Sequence, residues 1–245
     1  MAHPGSLLFH YATAAEALQP LARLVKRATS RRHVAGYSVH AGDGQPVMVL
    51  PEFGRGPEST AALRDVLSQA GFAVHDWGLG IDHGPVNGLD RLLRQIEERV
   101  IDVFEEERGP VTLVGCGLSG IYAREVAKRT SPIVRQVITI GSPVRVADPR
   151  GRCAMLRTLL APDAGVDALK MNRLRQRPPV PCTSIYTVAD ELVPAELSEE
   201  VESITTENLM VPARRHADLL GHARTMEAIT ERIARDDVGW RPFEE

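Results

Sequence analysis

The sequence is poor in cysteine. Its three residues, Cys116, Cys153 and Cys182, are odd in number and show no C-x-x-C spacing. Neither a disulfide framework nor a zinc site is suggested, and a reducing cytoplasm is the expected location. Long hydrophobic runs are missing too. The longest near the N-terminus, Leu7-Leu-Phe9, is too short for the apolar region of a signal peptide, and no segment is long enough for a transmembrane span. Neither sign of charge dominates: 29 Lys and Arg against 32 Asp and Glu leave a net charge of −3. That balance gives no reason to expect nucleic acid or an acidic lipid surface as partner. Internal repeats, low-complexity segments and cofactor or metal motifs are absent, so no cofactor and no metal are expected. What is there is ordinary globular material. The 245 residues, 43% hydrophobic and 25% charged, suit one sizeable domain, taken as 1–245.

The periodicity of the apolar residues gives the order of elements. Residues 13–28 carry Ala14, Leu18, Leu21, Val25 and Ala28 at helical spacing, with Arg23, Lys26 and Arg27 off that stripe. This N-terminal accessory helix (within 1–35) either packs on the domain edge or offers a contact surface, for a membrane or for a homo-oligomer. Val47–Leu50 reads as a buried strand, 58–70 as a helix stopped by Gly71, Phe72–Trp77 as a strand and 88–107 as a helix. Strands at 111–114 and 134–140 follow, separated by a helix. The β-α-β-α-β-α-β order over 47–140 implies a mostly parallel, doubly wound sheet.

Beyond Gly141-Ser-Pro143 the alternation stops. Residues 144–181 hold helical patterns around 153–160 and 163–175 and read as a small lid inserted over the carboxyl edge of the sheet. With eight Lys or Arg against three Asp between 145 and 177, the lid is basic: a solvated face, or a surface that attracts an anionic substrate. A strand over 183–188 ends at Ala189-Asp190. An acidic stretch over 190–207 reads as a surface loop and helix. A last strand, Asn208–Val211, and a final helix from about Leu219 to Ala234 complete the domain.

The segment that organises the chain is Val111-Thr-Leu-Val-Gly-Cys-Gly-Leu-Ser-Gly120. A β-branched run ends in glycines and passes directly into a helical pattern. Strand, tight turn and helix in that order form the local geometry of a nucleophile elbow, G-x-S-x-G, whose middle residue stands exposed above the sheet. Gly115, Ser119 and Gly120 supply the small positions around the turn. The middle position is Gly117, so the hydroxyl that would attack is missing. Cys116 is adjacent but should point away from position 117, and Ser119 belongs to the packing of strand on helix.

These stretches, with Trp77-Gly-Leu-Gly80, Ile121-Tyr-Ala-Arg-Glu125, Ile140-Gly-Ser-Pro143 and Trp240-Arg-Pro-Phe243, resemble the α/β-hydrolase superfamily in its bacterial esterase/lipase-like branch. The likeness covers roughly residues 45–243. It implies an α/β-hydrolase fold and a triad in the chain order nucleophile, acid, base. Carried over, the nucleophile position falls on Gly117, the acid on Asp190 and the base on His216, with His222 the competing base. The oxyanion donors fall on the Leu118 and Phe53 amides, with Cys116 beside them. Relatives carry Gly where this chain has Glu52; a carboxylate turned inward there would oppose a developing negative charge.

Three functions follow as expectations. The first is a carboxylic-ester hydrolase lineage, from a parent reading Gly-Cys-Ser-Leu-Ser, in which covalent hydrolysis is impaired or lost. The second is an enzyme without a nucleophile that uses His216–Asp190 as general base for a lyase, cyclase or water-mediated reaction, with Glu52 as acid or orienting group. The third is a pseudoenzyme that binds an acyl or lipid-like ligand, or a protein, in the old pocket. The expected ligand in the first case is a small-molecule ester.

Overall fold

The computed structural model describes residues 31–145, 168–235 and 241. The helix expected over 13–28, the first lid helix around 153–160 and most of Trp240–Phe243 lie outside them. The described chain opens with a hairpin, β1 (Arg31–Val34) and β2 (Tyr37–His40), antiparallel across a turn at Ala35–Gly36. The sequence pattern groups residues 31–34 with the accessory helix. They form a strand instead because β2 closes on the final helix: Val39 is fully buried, Tyr37 Oη donates to the Gly221 carbonyl at 2.8 Å, and the His40 amide donates to Thr230 Oγ1 at 3.1 Å.

Six further strands form one parallel sheet: β3 (Pro46–Leu50), β4 (Ala73–Asp76), β5 (Val111–Cys116), β6 (Val134–Ile140), β7 (Cys182–Tyr186) and β8 (Thr206–Met210). Their spatial order is β4-β3-β5-β6-β7-β8, with every adjacent pair parallel. Every residue of β3 and β5 is buried, as expected of strands covered on both faces, and this explains why they read as continuous apolar runs.

Two apolar clusters cover the faces. On one, α2 (Leu89–Glu107) and α3 (Ser119–Arg129) pack Leu93, Ile96 and Ile121 onto Met48, Leu50 and Leu113. On the other, α1 (Ala61–Ala70) and α6 (Ala223–Ala234) pack Leu67, Ile229 and Ile233 onto Val47, Val49 and Ile138. The alternation of Val47, Met48, Val49 and Leu50 between the two clusters is the two-residue period of a strand. Each such side chain, fully buried, contributes roughly 1.5–3 kcal/mol.

Two short helices complete the fold, α4 (Ala168–Arg175) at the end of the expected lid and α5 (Ala195–Ser198). Several boundaries differ from those the sequence pattern gives. The last strand begins at Thr206, and α6 begins at Ala223 after a separate 3-10 turn over His216–Asp218. The acidic stretch is not all surface: Glu200 and Glu207 are buried because each meets a buried arginine, Arg124 and Arg232.

The chain leaves β3 for one edge of the sheet, then returns across it to β5 and proceeds to the other edge. The carboxyl ends of β3 and β5 therefore open a crevice between two connections that run opposite ways, the place where α/β sheets bind ligands. Among the described residues no helix is long and apolar enough to cross a membrane.

Candidate active site

Four loops at the carboxyl edge of the sheet supply the residues singled out in the sequence. Glu52 and Phe53 follow β3, Gly117 and Leu118 follow β5, Asp190 follows β7, and His216 follows β8. Gly117 sits at φ +58°, in the left-handed region, between the end of β5 and the start of α3. Its amide donates to the Ile140 carbonyl at 2.9 Å, and its carbonyl accepts from the Gly120 amide at 3.2 Å. The turn is tight because strand and helix backbones touch. A Cβ on Gly115 would collide with Gly120 Cα, and one on Gly120 would collide with Ser142 Oγ. The close approach is thus Gly115 against Gly120. Ser119 braces the turn from within, since its buried hydroxyl accepts from the Cys116 amide at 3.0 Å and lies 2.9 Å from the Cys116 carbonyl. Cys116 packs into the apolar cluster under α1 and α6, and burial first, then the charge of Glu52, pushes its thiol pKa far up. Neither side chain is placed as a nucleophile.

Position 117 has room. A Cβ built there would find His216 Nε2 at 3.8 Å and Glu52 Cγ at 3.9 Å, ordinary van der Waals contacts. His216 is buried, and its Nδ1 donates to Asp190 Oδ2 at 2.6 Å. The Asp190 side chain is almost wholly buried, and its other oxygen accepts from the Leu192 and Val193 amides at 2.9 and 2.7 Å. Carboxylate and ring are therefore both fixed. Gly141, at the end of β6, makes room for the imidazole: a Cβ there would lie 2.7 Å from His216 Cε1. His222 is elsewhere engaged, its Nδ1 accepting from the Arg224 amide at the start of α6.

Glu52 turns inward. Its Oε1 lies 3.8 Å from His216 Nε2, the nitrogen that faces position 117. Burial alone would lower the His216 pKa. The hydrogen bond to Asp190 and the negative charges of Asp190, Glu52 and Glu191 outweigh it and hold the pKa above the ordinary histidine value. The Phe53 and Leu118 amides have no acceptor among the described residues. Leu118 stands at the N-terminus of α3, where backbone N–H groups and the helix dipole favour negative charge.

Two contributors were not read from the sequence. Glu191 accepts from the His216 amide at 3.0 Å, steadying the 3-10 turn; its place directly after Asp190 was the available signal. Asp82 pins the loop that carries Glu52 and Phe53. Its carbonyl accepts from Gly54 N at 2.8 Å, its amide donates to the Arg55 carbonyl at 2.9 Å, and its Oδ1 accepts from Gly84 N at 2.8 Å. Burial raises its carboxyl pKa to about 6, with the Gly84 hydrogen bond pulling the other way. The Asp82-His-Gly84 spacing, that of an Asx turn, was its signal. Among the described residues one group has metal-ligand spacing, His75, Glu106 and Glu107, in none of the four loops; His75 Nε2 is bonded to Glu107 Oε1 at 2.7 Å.

No family model matches the sequence, and no curated protein matches it. Solved structures do. A monoacylglycerol lipase of Paleococcus ferrophilus aligns at TM-score 0.54 and 17% identity, over 78% of this chain and 96% of that one. A thermophilic esterase of Thermogutta terrifontis aligns at TM-score 0.54 and 16% identity, over 80% and 92%. A lipase-esterase related protein of Clostridium acetobutylicum aligns at TM-score 0.53 and 18% identity, over 80% and 96%. The six-stranded parallel sheet, the elbow after β5 and these neighbours together make this chain a protein of the α/β-hydrolase fold.

Proposed function

We propose that the chain is of carboxylic-ester hydrolase lineage, with its acid–base pair Asp190–His216 retained and its nucleophile replaced by Gly117. Hydrolysis through an acyl-enzyme is then lost as the sequence stands. One observation carries the reading: His216 Nε2 lies 3.8 Å from where a Cβ at position 117 would be, on a ring held by a buried carboxylate 2.6 Å away. That placement suits the removal of a proton from a hydroxyl carried at 117, and such a base is of little use without something to deprotonate. The esterase and lipase names of the structural neighbours agree with it. The ligand is a small ester or acyl compound, its carbonyl oxygen held by the Leu118 and Phe53 amides.

Two effects limit what remains. Without a nucleophile the dyad can only activate a water. In serine proteases the loss of a triad member leaves roughly 10³–10⁴-fold catalysis over water, from binding and the oxyanion hole. Here the hole carries the Glu52 carboxylate as well, whose charge opposes the oxyanion of acyl transfer.

Hydrolysis of p-nitrophenyl butyrate and octanoate by the unaltered chain, Gly117→Ser and Gly117→Ala tests the reading. Activity is expected in Gly117→Ser alone, and His216→Ala in that background is expected to abolish it. Equal rates in all three proteins would place the nucleophile elsewhere. A folded but silent Gly117→Ser variant would remove the esterase reading.

A further inference from the structure

Glu52 stands where a hydrolase has least use for it. During acyl transfer the carbonyl oxygen gains a full negative charge beside the Phe53 and Leu118 amides, while a neighbouring carboxylate keeps its own. A different reaction at the same carbonyl removes that conflict. If Glu52 accepts a proton from the carbon next to the carbonyl, its charge disappears in the step in which the oxygen becomes negative. The total charge of the cleft is unchanged, and the two amides, which have no acceptor among the described residues, can donate to the atom that gains it. The pairing of a carboxylate base with a pre-formed oxyanion site is a known solution for carbon acids.

Three features place Glu52 for this role. Its Cγ lies 3.9 Å from the Cβ position of residue 117, so the side chain overlooks the space that the missing hydroxyl leaves above the elbow. Its Oε1 is 3.8 Å from His216 Nε2, the same nitrogen that lies 3.8 Å from the Cβ position of residue 117. Its side chain is 27% exposed, enough to exchange a proton with solvent. The histidine between Asp190 and Glu52 supplies a second proton carrier on the same side of the cleft.

We propose that the cleft catalyses proton transfer at a carbon adjacent to a carbonyl, with Glu52 as the base, on ketones, esters or thioesters. In the forward step the α-C–H bond breaks and a Glu52 O–H bond forms. The C–H electron pair becomes the carbon–carbon double bond of an enolate, whose oxygen is held by the Phe53 and Leu118 amides. In the return step Glu52, or the His216 imidazolium, delivers a proton to carbon. With the same proton returned nothing changes; after exchange with solvent the product carries a solvent hydrogen. No oxidant, reductant or second substrate is required. The assignment rests on the same amides and dyad as the hydrolase reading and needs no residue at 117.

The experiment is hydrogen exchange in D2O with the unaltered chain, followed by proton NMR of three probes: phenylacetone, ethyl phenylacetate and S-ethyl phenylthioacetate. Loss of the α-hydrogen signal of at least one probe is expected, faster than in buffer or with heat-denatured protein. Glu52→Gln is expected to lower that rate by about 100-fold or more, the usual worth of a general base. Glu52→Asp, with its carboxylate one methylene further back, is expected to fall between. Thermal melts establish that each variant is folded. No exchange above background in any probe overturns the proposal, as does exchange undiminished in Glu52→Gln. Hydrolysis of p-nitrophenyl esters by Gly117→Ser separates the two readings. Hydrolysis without exchange leaves the lineage standing and removes the role of Glu52, whereas exchange without hydrolysis does the reverse.

Discussion

A histidine between carboxylates has a different resting state from one that faces a hydroxyl. In His216 the ring is fixed at Nδ1 by Asp190, and Nε2 faces the Glu52 carboxylate 3.8 Å away. Its pKa is held above the ordinary value of 6.5 against the opposing effect of burial. For a histidine, a folded pKa above the unfolded one means that the charged form is favoured on folding. The stabilisation is then complete below about pH 6.5 and is lost as the pH rises through the folded value. Urea midpoints of the unaltered chain and His216→Asn are expected to differ most on the acid side and to converge as the pH is raised through that value. A difference that grows with pH would contradict the assignment. That Glu52, Asp190 and His216 come to the carboxyl edge of the sheet was legible, since each follows a readable strand. The direction of Glu52 was not, because it depends on how Asp82 ties residues 54 and 55, far from it in sequence.

At the scale of the element, α3 determines how the elbow is held. Its N-terminus is fastened by the Gly115–Gly120 contact and by Ser119, and its middle by Arg124, whose side chain is 1% exposed. That guanidinium donates to the Val144, Leu174 and Gln176 carbonyls and pairs with Glu200, so one side chain joins the elbow helix to three other segments. Removing one partner of a buried ion pair typically costs about 3–5 kcal/mol, whereas replacing both with apolar groups costs much less. Arg124→Ala should therefore lower the unfolding free energy by that order, with Arg124→Met/Glu200→Leu closer to the unaltered chain. Equal losses in both would show that the carbonyl contacts, not the pair, hold the helix. The helix itself was readable from its periodicity. Arg124 was not, since an arginine within a helical pattern reads as surface until α4 and the 199–200 segment are seen to cover it. The hairpin β1–β2 was hidden for a related reason: Val39 and His40 of β2 are buried only where the strand meets α6.

At the scale of the whole molecule, the winding of the sheet collects the site. Strands β3 and β5 are neighbours whose following connections run to opposite edges, and their loops bring Glu52 and Gly117 to one crevice. Strands β7 and β8 then carry Asp190 and His216 back toward it. This architecture was legible because both faces of the sheet are covered, so strands read as apolar runs and helices as amphipathic ones. The closeness of Gly117, Glu52 and His216 follows from it, although 99 residues of sequence separate Gly117 from His216.

The most direct test of that closeness is covalent labelling by a fluorophosphonate, read by intact-protein mass. Left-handed backbone at position 117 costs a side chain roughly 1–2 kcal/mol, small enough for the Gly117→Ser variant to fold. One adduct is expected in Gly117→Ser, none in the unaltered chain or Gly117→Ala, and loss of the adduct when His216→Ala is added. Faster labelling is expected once Glu52→Gly removes the opposing carboxylate. A folded Gly117→Ser protein that takes no label, with or without Glu52, would mean that His216 does not serve position 117, and the proposed acid–base role of Asp190–His216 would fall.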